Sequence, residues 1–361
     1  MEPNIGRRTR KNEGKRMQEW WRRDRFAARR GRLEQRGRIL DAVRSFFAAR
    51  GYVEVDTPAL QVSPGLELHL RAFKTMLHDP RDNRATERYL HTSPEFAMKK
   101  LIVAGMPRIW QLAHVFRDGE HSATHHPEFA MLEWYRAGAS YRDLMDECAA
   151  LIGTCQDAAG AEALGWRGHS ADARRPWQRL SVAEAFQEHC GLDLLATAPD
   201  PVAPDVERLA AAARHLGIAP HPGDDWEALY FRIFLDRIEP VLGLGEPTIL
   251  YDYPLSMAAL SRRRTGDPRL AERFEVYVCG LELANAFGEL TDAAEQRRRF
   301  VAAQAKQRAL YGETYPIDED FLAALDHGLP PCAGIALGFD RLVMLATGAE
   351  DIEEVLWTPV R

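Results

Sequence analysis

The spacing of apolar residues predicts helices and strands in roughly equal measure, which is typical of a mixed α and β fold. From Leu33 the apolar positions follow helical spacing and form one stripe that stops before Gly51. Val53 and Val55 then alternate as in a strand that ends at Pro58. A long apolar helix followed by such a strand suits a subunit interface or packing on the protein's own sheet, and the pattern leaves both open.

Two apolar stretches joined by a polar loop predict an antiparallel hairpin over Phe116–Arg136. Arg117 directly follows the first stretch, where its planar fork suits a phosphate. Phe129 on the return strand offers a flat face for a base. Glu133 and Tyr135 are two residues apart, so they share one face of that strand. The hairpin is therefore predicted to clamp a nucleotide and to form one wall of a substrate pocket.

Two further stretches combine polar side chains with an apolar background. In the run from Gly280 to Asp292, Glu282, Asn285 and Glu289 are set among apolar residues and glycines, which fits a strand and turn lining a polar pocket. The stretch 333–345 predicts a strand, an N-cap at Asp340 and a helix whose first turn presents Arg341.

The remaining helices are predicted from their start signals. Ser93 or Thr92 precedes Pro94, and Glu95 lies in the first turn that follows. Capping boxes are predicted at 140–143 and 181–184. The region of about 155–245 carries few chemical cues, and we interpret it as a helical insertion of peripheral helices.

Composition narrows the class of protein. The chain has 361 residues, 46% of them hydrophobic, so it can bury a large core. No apolar run is long enough for a membrane span and the N-terminus is charged, so neither a membrane span nor a secretory signal is expected. Five cysteines without CxxC spacing favour free thiols in a reducing compartment, and we expect a cytoplasmic protein.

Charge is distributed unevenly along the chain. The net charge is −6, yet the first 38 residues hold 14 Lys and Arg and five Asp and Glu. We expect residues 1–30 to form a basic N-terminal tail, with a catalytic domain over 31–361. Such a tail could contact nucleic acid or an acidic protein, or it could dock on its own domain. Met17 is a second plausible start.

Together, the helix and strand up to Pro58, the Phe116–Arg136 hairpin and the stretch Gly334–Leu345 resemble the three signature motifs of class II aminoacyl-tRNA synthetases of the lysyl type. The resemblance covers residues 35–361 in order. It implies an α+β fold, with a six-stranded antiparallel sheet flanked by helices, and a homodimer formed through the first motif. Only about 30 residues, many of them charged, precede that motif, and we expect this to leave no room for an anticodon-binding barrel of ~100 residues.

Four phrases of the chain are most similar to a paralogue group, the elongation factor P–(R)-β-lysine ligases: TSPEFAMKKLIVAG, HPEFAMLEWYRAG, AERFEVYVCGLELANAFGELTD and GIALGFDRLVMLATG. The resemblance implies activation of (R)-β-lysine with ATP as an adenylate, followed by its transfer to a lysine side chain of elongation factor P. It implies ATP and Mg²⁺ as cofactors, and no tRNA as a partner.

The resemblance also implies roles for individual residues. Arg117, Arg341 and Glu282 would be catalytic, with Glu282 also the Mg²⁺ ligand, and the ATP site would comprise Arg117, Gly119, Glu120, His125, His126, Phe129, Glu282, Leu283, Gly338 and Arg341. The amino-acid site would comprise Ser93, Pro94, Glu95, Glu133, Tyr135, Asn285, Glu289 and Ala336. Glu289, helped by the Tyr135 hydroxyl, would pair the distal ammonium, while Ser93 and Glu95 would hold the other amino group.

The chain departs from the lysyl-type pattern at three positions. Ala336 stands where those synthetases have glycine, and its methyl is expected to bias the choice between lysine isomers. Gly119 takes the place of a glutamate, whose work we expect Glu120 to share. His126 stands where asparagine is common. Two rival functions remain open: a stand-alone ligase that acylates tRNA or a small acceptor, and a non-catalytic sensor of an amino acid.

Overall fold

The computed structural model describes residues 19–360, and Met17 lies outside that range. Within it the chain forms thirteen strands: Val53–Glu54 (β1), Leu60–Gln61 (β2), Lys74–His78 (β3), Ala85–Leu90 (β4), Arg108–Phe116 (β5), Glu128–Ala137 (β6), Leu164–Trp166 (β7), His169–Ala171 (β8), Gln178–Ser181 (β9), Thr248–Pro254 (β10), Leu270–Val278 (β11), Leu281–Gly288 (β12) and Cys332–Gly338 (β13).

The α-helices of the same residues alternate with these strands. They are Arg23–Ala48 (α1), Glu95–Val103 (α2), Tyr141–Ala159 (α3), Val182–Cys190 (α4), Val206–His215 (α5), Trp226–Ile233 (α6), Ala293–Tyr311 (α7), Glu319–Gly328 (α8) and Phe339–Thr347 (α9). Both predicted capping boxes are present, at the start of α3 and of α4. No helix of residues 19–360 has the length and apolar character needed to span a membrane.

A central sheet of eight strands organises the molecule, in the order β1-β5-β6-β13-β12-β11-β10-β9. Its six middle strands pair antiparallel throughout, as the resemblance implied. The sheet is larger than expected because β1 and β9 add to its edges as parallel strands. The predicted hairpin corresponds to β5 and β6, which pair from Arg108↔Arg136 to Phe116↔Glu128.

One face of this sheet is the main core. Alternate residues of the middle strands, including Leu132, Trp134, Ile335 and Leu337, pack in one buried cluster with apolar side chains of α1, α3 and α9. Phe47 of α1 stacks on Trp110 of β5, with ring centroids 5.0 Å apart. Because side chains alternate along a strand, this packing leaves the other face of the same strands to build a pocket.

The first helix begins earlier than predicted. Residues 23–30, which were expected to form a tail or a frayed helix, are part of α1. The Arg29 side chain is buried and donates to the main-chain carbonyls of Leu356 and Trp357. Arg36, about two helical turns after Arg29, forms a buried ion pair with Asp340 of α9. Two basic residues of α1, Arg29 and Arg36, thus hold this helix against the C-terminal segment and α9.

The predicted insertion has its own core and its own strands. Helices α4, α5 and α6 surround a second apolar cluster that includes Phe186, Trp226 and Tyr230. The region is not purely helical, since β7 and β8 form a hairpin and β9 joins the central sheet. Its expected start at about residue 155 falls inside α3, which continues to Ala159.

A small sheet, β2-β4-β3, projects from the region between α1 and α2. Met76 and Leu77 are each 47% exposed, although they point to opposite faces of β3. Val53, Leu60 and Val62, earlier in the chain, are also exposed.

Candidate active site

A row of polar side chains crosses the open face of the central sheet. Strand register places Glu133 of β6 opposite Ala336 of β13, Ala336 opposite Asn285 of β12, and Asn285 opposite Glu275 of β11. Gln111 of β5 extends the row on the other side of Glu133. Residues paired across strands point to the same face, so five strands contribute to one pocket floor. Three of the predicted amino-acid residues therefore lie side by side.

A β-bulge brings Glu282 to the same face. In a regular strand Glu282 and Asn285, three apart, would point to opposite sides. The register between β11 and β12 shifts here, so that Asn285 faces Glu275 whereas Glu282 faces Tyr277. Leu283 is the extra residue, and its side chain is buried in the main core. A bulge residue leaves its backbone outside the ladder, which suits the predicted contact of the Leu283 backbone with ATP.

Glu133 is the centre of a hydrogen-bond network at the amino-acid end of the pocket. Its side chain is fully buried. The Ser93 hydroxyl donates to Oε1 at 2.6 Å, and the Tyr135 hydroxyl donates to Oε2 at 3.0 Å. Ser93 also accepts from the main-chain N–H of Glu95 at the start of α2, and Pro94 directly precedes that helix. The Tyr135 hydroxyl was expected to assist Glu289, but its partner is Glu133.

A lysine absent from the sequence predictions binds the other two acids. Lys99 of α2 is 1% exposed and pairs with both Glu95 and Glu289, the latter at 2.5 Å. Glu95 and Glu289 were predicted to hold the two amino groups of the substrate. Each instead has an internal ammonium partner, and each still borders the pocket. Glu289 is 1% exposed, as a carboxylate that grips a desolvated ammonium should be.

The buried acids of this pocket hold protons more tightly than ordinary carboxyl groups. Burial raises the pKa of Glu133 to about 8, against the opposing effect of its hydrogen bond from Ser93. Burial likewise raises the pKa of Glu289 to about 8, while the nearby Lys99 ammonium lowers it. A cationic ligand would favour the ionised form of both, because opposite charge offsets the cost of burying a carboxylate.

Two buried acceptors face this pocket without a donor. No residue in 19–360 donates a hydrogen bond to Asn285 Oδ1 or to Glu289 Oε1. Orphaned buried acceptors are costly and are rare in folded proteins. Their natural complement is a ligand that carries ammonium donors.

The nucleotide end is lined by cations. Arg117 immediately follows β5, and its guanidinium lies over the Phe129 ring, 5.1 Å from the centroid. It lies 3.8 Å from Glu120, a loose pair that leaves the guanidinium free to bind an anion. Arg117 Nε is buried and has no acceptor among the residues that the structure describes. Gly119 has φ +85°, a turn conformation that glycine adopts without strain.

Arg341 reaches the same place from the first turn of α9. Its guanidinium donates to the main-chain oxygens of Glu282, at 2.8 Å, and Thr124, at 3.2 Å. Its third contact is with Nε2 of His125, at 2.7 Å. Burial lowers the pKa of His125, and the positive charges of Arg341 and Arg117 both act in the same direction. The two predicted phosphate arginines therefore lie on the same side of the molecule, close to one histidine.

Three details of this end differ from the sequence predictions. The His126 ring is buried and contacts the main-chain oxygens of Glu128, at 2.5 Å, and Val360, at 2.9 Å, so it fastens the chain terminus. Asp340 is not the N-cap of α9, because Gly338 holds that position. Asp340 accepts instead from Arg36 and from the N–H of Ala130. A Cβ at Gly338 would make ordinary contacts with Arg341, so the glycine is not required by packing.

Glu282 is the carboxylate available to a divalent cation at this end, because both oxygens of Glu275 already accept hydrogen bonds, from Arg273 and from the Tyr277 hydroxyl. Burial raises the pKa of Glu282 to about 7, and the negative charge of Glu275 acts in the same direction. Residues 19–360 contain no cluster of three or more His, Cys, Asp or Glu side chains arranged around a metal position. Mg²⁺ nevertheless fits, because it commonly takes one or two carboxylates and completes its shell with substrate phosphates and water.

Three residues of the site were missed by the sequence analysis: Lys99, Glu275 and Gly334. Lys99 lies four residues after Glu95, a helical spacing that predicts the observed pair. A Cβ at Gly334 would overlap the Tyr135 ring and the Glu289 carboxylate, which explains the glycine.

Comparison with known proteins agrees with this geometry. The family model described as tRNA synthetases class II (D, K and N) matches residues 12–361. The chain belongs to the class II tRNA synthetases. Members of this family use ATP. The protein is thus an ATP-dependent ligase of the class II synthetase type.

Similar curated proteins narrow the family further. The chain is 40% identical to a protein of Vibrio cholerae named elongation factor P–(R)-β-lysine ligase, over 91% of this chain and 94% of that protein. Proteins with the same name in Hamiltonella defensa and Pectobacterium carotovorum are 39% and 40% identical, over 91% and 90% of this chain. The predicted resemblance to this ligase group is confirmed.

Proposed function

We propose that this protein activates (R)-β-lysine with ATP and transfers the β-lysyl group to a lysine side chain of elongation factor P. The observation that carries the proposal is the charge balance of the pocket. The network of Glu95, Glu133, Glu289 and Lys99 contains three carboxyl groups and one ammonium, all buried. When the acids are ionised, it lacks two positive charges, and a lysine isomer brings two ammonium groups.

Activation begins with attack of the amino-acid carboxylate on the α-phosphorus of ATP. An oxygen–phosphorus bond forms, the bond to the leaving pyrophosphate breaks, and an acyl adenylate results. Arg117 would neutralise the α-phosphate, since its orphaned Nε is directed away from protein acceptors. Arg341 would bind the far end of the triphosphate, with Phe129 stacked on the base. Such chemistry depends on positioning and charge neutralisation and needs no protein nucleophile.

Mg²⁺ would be held by Glu282, with Glu275 beside it, and would supply further neutralisation of phosphate charge when bound. Arg341 already fixes the main chain at Glu282, which limits how far that carboxylate can move. In the transfer step the acceptor lysine nitrogen attacks the acyl carbon. An amide bond forms, the bond between the acyl carbon and the phosphate oxygen breaks, AMP leaves, and the acceptor nitrogen gives up a proton.

The proposal is tested by incubating the purified protein with ATP, Mg²⁺, elongation factor P and each lysine isomer separately, and weighing the acceptor by mass spectrometry. We expect elongation factor P to gain one β-lysyl group, with α-lysine less effective, and tRNA-Lys offered in a parallel reaction to stay uncharged. Charging of tRNA without labelling of elongation factor P would establish the rival function. Failure of every isomer to support ATP–pyrophosphate exchange would favour a non-catalytic sensor.

We also infer that the protein acts in the cytoplasm as a homodimer. All five cysteines are free, which suits a reducing compartment. Val53, in the strand of the first motif, is 49% exposed, which suits the subunit contact that this motif implies. We expect Val53→Glu to dissociate the dimer in sedimentation analysis. Val202→Glu, an equally apolar residue 82% exposed in the insertion, serves as the control and should leave it intact.

A further inference from the structure

Lys99 occupies an unusual position for a lysine, because it is buried and shared by two acids of the amino-acid pocket. It extends from α2, is 1% exposed, and its ammonium contacts Oε1 of Glu95 and Oε2 of Glu289. The Phe321 ring lies 6.0 Å from the ammonium. Lysines are rarely buried without a partner, and this one has two.

The two ion pairs leave part of each acid available. Glu289 uses Oε2 for Lys99, while Oε1 has no donor among residues 19–360. Gly334 has no side chain, and this leaves the space beside β13 in which Oε1 of Glu289 lies. We therefore expect Lys99, by holding Oε2, to leave Oε1 as the oxygen available to a ligand.

The charged and titratable groups around Glu289 come from several elements. On α2 they are Lys99 and Glu95, and the surrounding strands and loops add Tyr135, Arg262 and Cys332. Arg262 is already paired with Glu272. Lys99 stays protonated throughout the range of interest, because the two carboxylates raise its pKa beyond the cost of burial. It is thus the principal charge that lowers the pKa of Glu289 against the effect of burial.

We propose that Lys99 is a positioning residue of the amino-acid site, which orients Glu95 and Glu289 and favours the ionised form of Glu289, so that the pocket accepts a ligand with two ammonium groups. The proposal rests on the function proposed above. Lys99 acts through the two acids that it contacts. Its removal would leave the network three positive charges short, and Glu289 would hold its proton to higher pH.

The test is the pH dependence of the KM for the lysine isomer that the wild type uses, measured by ATP–pyrophosphate exchange from pH 6.5 to 9.5. In the wild type, KM should fall as pH rises through about 8, as Glu289 ionises. In Lys99→Met the midpoint should move upward by about one unit or more, which corresponds to a roughly tenfold higher KM at pH 7.5. The KM for ATP should change less than twofold.

Two further variants separate charge from structure. Lys99→Arg keeps the positive charge, so its midpoint should stay within about 0.3 units of wild type even if its KM rises. Lys100→Met is the matched control: Lys100 is the next residue of α2 and is also paired with two acids, Asp318 at 3.1 Å and Asp320 at 2.7 Å, but outside the pocket. It should retain the wild-type profile.

A second measurement needs neither activity nor a ligand. The midpoint of thermal unfolding is recorded against pH for the ligand-free wild type, Lys99→Met and Lys100→Met. Lys99→Met should lose more stability between pH 8 and 9.5 than the others, because its native acids hold protons over a wider pH range. If the wild type supports no exchange with any isomer, the proposed function fails, and these curves still report on Lys99.

Three results would overturn the proposal. The first is a Lys99→Met enzyme whose KM profile superimposes on that of the wild type. The second is a Lys99→Arg enzyme whose KM profile has its midpoint displaced by a full pH unit. This result can be obtained even if Lys99→Met does not fold. The third is an unfolding curve for Lys99→Met that runs parallel to that of Lys100→Met at every pH.

Discussion

The two ends of the candidate site are built in opposite ways. The amino-acid end consists of strand residues locked in register, such as Glu133, Ala336 and Asn285, together with one helix that supplies Lys99. The nucleotide end consists of side chains from strand ends, loops and a helix start, with Arg117 and Arg341 as its charges. The first is an anionic pocket of fixed shape, and the second is a cationic surface around a flexible substrate.

The two constructions predict different selectivity at the two ends of the site. A register-locked pocket discriminates by shape and by the number of charges, because its members cannot shift independently. A loop-built end tolerates a bent triphosphate because its cations interact mainly through long-range charge. Substitutions at the nucleotide end should therefore reduce the rate, whereas those at the amino-acid end should alter which amino acid is accepted.

The largest effect is expected for Arg341→Ala, which breaks the nucleotide end. The change removes a cation from phosphate and also releases the main chain at Glu282. We expect kcat/KM for ATP–pyrophosphate exchange to fall about 10²–10³-fold, as for removal of one preorganised donor to developing charge. Arg341→Lys should recover a minor part of this loss. An Arg341→Ala enzyme with wild-type kinetics and melting temperature would remove Arg341 from the nucleotide site.

Glu289→Gln addresses the amino-acid end and should separate the two ends kinetically. The amide keeps the shape but loses the charge that pairs with an ammonium, so the KM for the lysine isomer should rise by about 10²-fold. The KM for ATP should stay within about twofold. The measurement is a pair of substrate titrations in the exchange assay. A rise in the KM for ATP instead would show that the two ends are not independent.

How far the sequence predicted this division can be judged from particular residues. The order of elements, the hairpin and the residues on its faces were predictable because period-two alternation fixes which side chains share a face. Arg117, Arg341 and the acids were placed by their resemblance to signature motifs, and the structure brings them to one side of the sheet. Roles toward ATP or lysine stay predictions for each of them.

What the sequence did not predict depends on contacts between distant segments. The sequence analysis assigns no role to Lys99, because its second partner, Glu289, lies 190 positions further along the chain. The match to the signature motif assigns His126 to the nucleotide site. Its ring instead contacts the main-chain oxygen of Val360, near the other end of the sequence. The bulge at Leu283 has no local signature such as glycine.

Ionisation offers a milder test of the anionic pocket. The folded-state pKa of Glu282 is raised to about 7, and those of Glu133 and Glu289 to about 8, so the folded protein binds more protons than the unfolded chain between about pH 4.5 and 8. Stability of the ligand-free protein should therefore fall as pH rises through this window. Differential scanning calorimetry at pH 6, 7, 8 and 9 should show a falling melting temperature.

Ligands should flatten that slope. Mg²⁺ with ATP would supply positive charge beside Glu282, and a lysine isomer would do so beside Glu133 and Glu289, so the ionised acids would no longer be penalised. Norleucine, which lacks the distal ammonium but keeps the other, is the matched control and should flatten the slope less than lysine does. Equal slopes with and without lysine would contradict an anionic pocket that binds ammonium groups.

The smallest effect is expected for Ala336→Gly, which removes one methyl from the floor of the pocket between Glu133 and Asn285. A methyl group of fit corresponds to about 1–3 kcal/mol, so the preference between (R)-β-lysine and α-lysine should shift by at most about 10–200-fold, toward α-lysine. The ratio of kcat/KM for the two isomers is the measurement. An unchanged ratio would assign the isomer preference to the flanking acids.

The extra residue at Leu283 has a consequence for anyone who alters this strand. A strand of perfect alternation can show its even or its odd positions to a pocket, but not Glu282 together with Asn285. One irregularity lets a single segment serve the nucleotide and the amino acid at once, and it sets the distance between them. Deleting Leu283 would turn Glu282 inward among the packed apolar side chains. The strand would then no longer fix the spacing between the residue that serves the nucleotide and the residue that serves the amino acid.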